Sequence, residues 1–270
     1  MARPLQNGWA VTERLGRALL SLLGWIGAVS LFGLRALGEA LRPPYEVREI
    51  ARHIFEIGWR SVPLIATSGF AIGVVLSMHT RASLERFGAE AMIPGGLAIA
   101  LVRETGPLIT ALLVAGRVGA GIGAELGAMK VTEQIDALEA VAVDSFKFLA
   151  VTRILACIIA MPLLTTILDF CGIVGGYAAE ATISGMSWDL YFRRAFSLIG
   201  FADFIPSTLK TAVFGLIIGT VASYLGFTTT RGTEGVGQAS TRSVVLASIL
   251  IIVSNVVLVK MIFFFFPSQA

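Results

Sequence analysis

The chain has 270 residues, of which 56% are hydrophobic and 14% charged, against roughly 25% charged for an ordinary soluble domain. With a mean hydropathy of +0.81 it is excluded from the soluble globular class, and no polar stretch between its recurring apolar segments is long enough to fold separately. The net charge of +3 does not mark a nucleic-acid binder either, because Lys and Arg flank apolar runs, the pattern of topology determinants facing anionic lipid.

The expectation is an all-α polytopic membrane protein forming one membrane domain over residues 1–270, with N-terminal helices in residues 1–60. Ala18 to Leu34, bracketed by Arg17 and Arg35, is the first apolar run. Its 17 residues sit at the lower limit for crossing a hydrocarbon core. Pro43-Pro44 ends this element, since proline cannot continue a helix and disfavours the α region in the residue before it. Tyr45 to Arg60 is expected to form a second cytoplasmic-side helix leading into the first span.

Five segments are long and apolar enough to span: Val62 to Met78, Gly95 to Met129, Phe148 to Ala179, Leu209 to Thr229 and Val244 to Phe266. The second and third exceed the minimum, so they are tilted, broken or extended beyond the bilayer. With five spans and a cytoplasmic N-terminus, the inside segments hold 13 of the 21 Lys and Arg, including Lys130, Lys147, Arg153, Arg231 and Arg242. The outside segments hold five: Arg81, Arg86, Arg193, Arg194 and Lys210. A sixth span over Ala18 to Leu34 would move Arg3, Arg14 and Arg17 outside and reduce the bias to ten against eight. The positive-inside rule therefore predicts an interfacial helix there. A cleaved signal peptide is a weaker third option, because Arg17 plus an apolar run superficially fits but no convincing small-x-small cleavage site follows.

Small residues recur every fourth position in several spans. They are Gly69, Gly73 and Ser77 in the first, Ala115, Gly119, Gly123 and Gly127 in the second, and Gly215, Gly219 and Ser223 in the fourth. Such stripes let helix backbones approach closely in lipid, where packing drives association. Arg103 and Glu104 are a sharper signal, because a charge deep in the membrane costs at least ~2.5 kcal/mol and is usually kept for function. Adjacent helix residues point about 100° apart, so each is expected to find a partner on another helix. Pro107 leaves the carbonyl of Arg103 without its helical donor. The pair is either a satisfied interhelical contact near the outer interface or a polar site for a lipid headgroup or gating, and Asp169 in the third span poses the same choice.

Lys130 to Val143 carries Val131, Ile135, Leu138 and Ala142 on one stripe, with Glu133, Asp136 and Glu139 elsewhere, which is helical amphipathicity. Thr132 is placed to cap its start and Asp144 to cap the next helix. The segment is either a helix resting on the membrane or a coupling helix that receives force from a soluble partner.

Enzyme classes find little support. There is no GxxxxGK[ST] phosphate loop and no HExxH, no metal site is expected, and His53 and His79 are single and far apart. Ser68 before Gly69 fits a packing face better than an intramembrane protease. Cys157 and Cys171, roughly 21 Å apart if on one helix, cannot pair there.

LVRETGPLITALLVAGRVGAGIGAELGAMKVTEQIDALEAVAVD resembles the signature region of the MlaE-type permeases, the membrane subunits of ABC transporters that work with MCE-domain proteins. The likeness runs through RILACIIAMPLL to ASTRSVVLAS and covers most of residues 45–260, and its RE-x-GP, AGR-x-G and TEQIDALEAVAVD elements occur in the family's order. The resemblance implies a non-catalytic permease that works as a homodimer in the inner membrane with its N-terminus cytoplasmic. It further implies a cytoplasmic ABC ATPase, which would hold the ATP and magnesium, and a periplasmic MCE-domain protein, with phospholipids or related lipids as cargo and no cofactor in this chain. On this basis Glu133, Gln134, Asp136 and Glu139 fall in the ATPase-contacting helix. Arg103 and Glu104 would line a lipid cavity, with Arg52, Lys210 and Arg242 as basic residues near them, and Gly119, Gly123 and Gly127 would serve helix packing. A secondary transporter would instead show an inverted repeat and mid-membrane carboxylates, for which only Glu104 and Asp169 are candidates. A third class is a scaffold that moves nothing.

Overall fold

The structure, a computed structural model, describes residues 4–230 and 232–265. Arg3, Arg231 and Phe266, which enter the charge count and span bounds above, lie outside the described residues, as do the side chains of Arg14 and Arg17. Among the described residues the chain is helical throughout its regular structure. The elements are α1 (Pro4–Ala40), α2 (Val47–Leu84), α3 (Glu90–Val131), α4 (Gln134–Ala140), α5 (Phe146–Ser184), α6 (Trp188–Ser197), α7 (Phe201–Phe227) and α8 (Gly232–Phe265).

Five of these helices are long and apolar enough to cross a membrane: α2 with its short continuation to Phe87, α3, α5, α7 and α8. The number of spans matches the expectation, but the helices run past the apolar cores that announce them. Tyr45 to Arg60 is not a separate helix, since α2 runs unbroken from Val47 to Leu84 through Pro63. A proline there deletes one helical bond without breaking the rod because flanking side chains and helices supply other contacts.

The excess length of α3 resolves into extension plus local breaks. Its 42 residues carry two π-helical turns, Leu101–Thr105 and Ala115–Gly119, each a one-residue widening of the helix of the kind often found at functional sites. α1 ends before Pro43-Pro44 as expected and is not among the five candidate spans. Its C-terminal half is pinned to the bundle. Phe32 packs on Phe146 and Phe227 at ring distances of 4.9 and 6.1 Å, and the Arg35 guanidinium lies 4.2 Å over the Phe146 ring, a cation–π contact.

Small residues set the packing. α2 and α5 run side by side and parallel, and a Cβ added to Gly73 would overlap the carbonyl of Gly172. α7 crosses α5 antiparallel with Gly215 and Gly219 laid on the backbone of Cys157 and Ile154. The second-span stripe is unequal. A Cβ on Gly123 would overlap the Ser243 hydroxyl, one on Gly127 would lie 3.1 Å from Thr229 Oγ1, and one on Gly119 would meet only Ile218 at 3.5 Å, an ordinary contact. Close packing against α8 therefore belongs to Gly123, Gly127 is tight against Thr229 just after α7, and Gly119 carries little of it.

The segment after α3 departs from the expected single helix over Lys130 to Val143. α3 ends at Val131, Glu133 takes a left-handed conformation (φ 59), and α4 spans only Gln134–Ala140. Thr132 does not start a helix. It closes α3, its hydroxyl donating back to the carbonyl of Ala128 at 2.8 Å. Periodicity could not show this break, because the turn at Thr132-Glu133 keeps the Val131 and Ile135 spacing while redirecting the axis. Ile135 is buried and Leu138 half-buried, whereas Ala142, also left-handed (φ 61), is exposed and leaves the stripe. Asp144 does cap the following helix, accepting from the Lys147 amide at 3.0 Å.

Candidate functional site

Pro107 is the origin of the site. Lacking an N–H, it cannot satisfy the carbonyl one turn earlier, and α3 widens into the Leu101–Thr105 π-turn at that level. The freed carbonyl of Arg103 accepts a hydrogen bond from Lys210 Nζ of α7 at 2.7 Å. The same ammonium pairs with Glu104 Oε1 at 2.9 Å, and Glu104 Oε2 accepts from Asn255 Nδ2 of α8 at 3.2 Å. Arg103 turns the other way, placing Nε and a terminal nitrogen 2.9 and 2.6 Å from Asp203 Oδ1. Asp203 Oδ2 in turn accepts from the Gly200 amide at 2.9 Å, so this carboxylate caps the start of α7 and holds Arg103 at once.

Arg103 and Glu104 thus find partners on other helices and not in each other, as their 100° separation requires. The cluster joins α3, α7 and α8 with charges that compensate locally, which a low-dielectric setting demands. Exposure within it is uneven: the Lys210 side chain is 1% exposed and that of Glu104 46%. Arg103 and Glu104 open on a small cavity of about 40 Å³ shared with Ser207, Val259 and Phe263. Beside it an apolar groove of about 270 Å³ runs between α7 and α8, walled by Leu209, Val213, Leu258 and Met261. Fixed charge adjoining an apolar trough is the chemistry an amphiphile needs, with a polar head at one end and a chain along the other.

The remaining basic candidates are not brought to this cluster. Arg52 is exposed near the start of α2 and pairs with Glu49 and Glu56 at 3.3 and 3.6 Å. Arg242 lies thirteen residues before Asn255 on α8, roughly 20 Å away at 1.5 Å per residue, in a separate polar pocket with Thr228, Thr230 and Gln238. Single matched positions placed them with Arg103, and the helix register separates them.

At the end of the bundle that carries residues 132–145, Glu133, Gln134, Asp136 and Glu139 are all exposed. Asp136 is held by Lys130 at 2.8 Å and Glu139 accepts from Ser145 at 2.6 Å, which clamp α4 against the ends of α3 and α5.

Several polar groups have no counterpart in the sequence reading beyond a charge count. Arg81 grips Glu180 through two nitrogens, Ser77 donates to Glu180 Oε1 at 3.1 Å, and Glu180 is wholly buried between α2 and α5. Arg153 bridges its own helix and α3, donating to the Leu149 carbonyl at 2.9 Å and to Glu125 at 2.8 Å. Arg117, in the second π-turn, donates to the Ser61 hydroxyl. An acid directly at the end of an apolar span was the available signal for Glu180. Asp203 carried none, since at a span start it reads as a loop charge.

The chain is similar over most of its length to several proteins, two of them named as permeases. It is 37% identical over 253 residues to a probable ABC transporter permease protein of Rickettsia bellii, covering 94% of this chain and 98% of that one. It is 30% identical over 252 residues to the intermembrane phospholipid transport system permease protein MlaE of Haemophilus influenzae, covering 92% and 96%. A third relative is the chloroplastic protein trigalactosyldiacylglycerol 1 of Arabidopsis thaliana, at 30% over 240 residues, 88% of this chain and 69% of that protein. Residues 50–261 match the family described as Permease MlaE, a stretch that holds all five candidate spans apart from a few terminal residues, the Arg103 to Asp203 cluster and α4, and the chain belongs to the MlaE permease family.

Proposed function

We propose that this permease moves phospholipids or closely related lipids between membranes as the membrane subunit of an ATP-driven transporter, itself without catalytic activity. One observation carries the reading: a charge cluster built on the Pro107 π-turn opens on a small cavity beside an apolar groove between α7 and α8. The name of the Haemophilus influenzae relative, an intermembrane phospholipid transport permease, supports it.

The half-exposed Glu104 argues for a second copy. A carboxylate at membrane depth cannot face acyl chains cheaply, and α8 presents an apolar face beside it through Ile252, Val253, Val256 and Val257. Two chains meeting across α8 would enclose the cavity, as the closed symmetry of a homodimer allows. In this arrangement a cytoplasmic ABC ATPase, which binds the ATP and magnesium, engages the exposed acids of residues 133–139. An MCE-domain protein sits at the opposite end, and the N-terminus lies on the ATPase side of the inner membrane.

The test is reconstitution of the chain with its ATPase in vesicles. Glu133→Lys with Asp136→Lys is expected to abolish ATPase binding and lipid-stimulated hydrolysis. Arg103→Ala with Glu104→Ala is expected to stop lipid transfer while assembly persists. Retained lipid transport in cells that carry the second variant would favour a scaffold, and ion-gradient uptake by the chain alone would favour a secondary transporter.

A further inference from the structure

Asp169 is the one acid of this region without a hydrogen-bonded cation. It lies on α5, is 4% exposed, and its Oδ1 has no hydrogen-bond partner. The carboxylate presses on Gly106, filling the space where a Cβ would stand, beside the carbonyl of Leu101. Leu101 and Gly106 bracket the π-turn whose Arg103 carbonyl receives Lys210 Nζ. Asp169 and Lys210 therefore approach one widened turn of α3 from two helices, with no hydrogen bond between them.

The charges around this turn do not need Asp169. Arg103 is paired with Asp203, and Lys210 with Glu104. A buried, unpartnered carboxyl group is costly to keep without a compensating partner, and the glycine at 106 leaves it room. Glu104 is the partner of Lys210 that faces the cavity, so any movement of its side chain outward would strand a fully buried ammonium.

We infer that Asp169 is the reserve partner of Lys210: when Glu104 leaves for the cavity, Lys210 swings across the Arg103–Gly106 turn and pairs with Asp169. Asp169 is then a positioning residue. It contacts no lipid, and it lets Glu104 move without leaving the cation unpaired. The inference rests on the reading of this cluster as the wall of a lipid cavity, but its test needs neither lipid nor ATPase.

That test is a mutant cycle read as thermal unfolding of the full chain in detergent, with Glu104→Gln, Asp169→Asn and Lys210→Met. Each of the first two alone is expected to lower Tm modestly, because the other acid still serves Lys210. Together they are expected to fall a further 2–4 °C, roughly, beyond the sum of the singles. Adding Lys210→Met to that pair removes the stranded cation and is expected to restore the loss, which a merely structural role for Asp169 would not produce. If the double variant does not fold, recovery of a folded triple variant gives the same support. Additive singles, or a triple variant no better than the double, would overturn the inference. A chain that shows the cycle yet fails the lipid-transfer test above would keep this exchange and lose the lipid reading.

Discussion

Arg81 and Glu180 show how a single buried pair ties two helices. Glu180 has no exposed surface and receives Arg81 and Ser77 from α2, with Ser184 Oγ at 3.3 Å from its own helix. Removing one partner of a buried pair strands the other, at about 3–5 kcal/mol. Glu180→Gln is therefore expected to lower thermal stability sharply, while Arg81→Met with Glu180→Leu recovers much of the loss, checked by thermal unfolding in detergent. Glycines divide in the same physical way. Gly73→Ala drives a methyl group into the Gly172 carbonyl and is expected to cost about 1–3 kcal/mol as overpacking. Gly119→Ala meets ordinary contact distances and is expected to be neutral or to stabilise by a few tenths of a kcal/mol, roughly, through helix propensity. Expression level and unfolding temperature of the two variants distinguish these outcomes. A repeat of glycines every fourth position was legible in the chain. Which glycine touches backbone was not, because that depends on the partner helix lying across it.

At the scale of elements, the π-turn after Leu101 and the break at Glu133 are both local irregularities with different origins. Pro107 creates the first by withholding a donor, which the sequence states outright. Its consequence, a lysine from α7 at the orphaned carbonyl, needed the fold. The second break has no proline or glycine to announce it, and two non-glycine residues, Glu133 and Ala142, hold left-handed backbone around α4. Such residues are strained relative to glycine. Ala142→Gly is expected to stabilise the chain by about 0.5–1 kcal/mol, raising Tm while the exposed acids of α4 stay in place. A fall in Tm would show that the left-handed turn is not the strained feature. The strain is matched by clamps on both sides of α4, Lys130 to Asp136 and Ser145 to Glu139, so the element is held as a rigid tab.

For the whole molecule, α8 is the least covered of the five candidate spans, with Ile249, Ile252, Val256 and Val257 outward. Cysteines at Ile252 or Val256 are expected to cross-link two chains in native membranes, and cysteine at Leu163, an exposed position on α5, is not; the reverse pattern on a denaturing gel would place the interface elsewhere. Hydropathy, charge bias and proline placement were enough to read the number of spans, the break at Pro43-Pro44, the charged pair on the second span and the acidic segment after it, because each depends on residues adjacent in the chain or repeating along one helix. Family likeness linked Lys210 to Arg103 and Glu104, and also placed Arg52 and Arg242 beside them. Only the tertiary structure paired Arg103 with Asp203 and Glu104 with Asn255, laid an unpartnered Asp169 oxygen against Gly106, and set Arg242 roughly 20 Å along α8. Those facts follow from the register at which helices cross, and register is fixed by backbone contacts such as Gly73 on Gly172, between residues about a hundred positions apart that no local pattern connects.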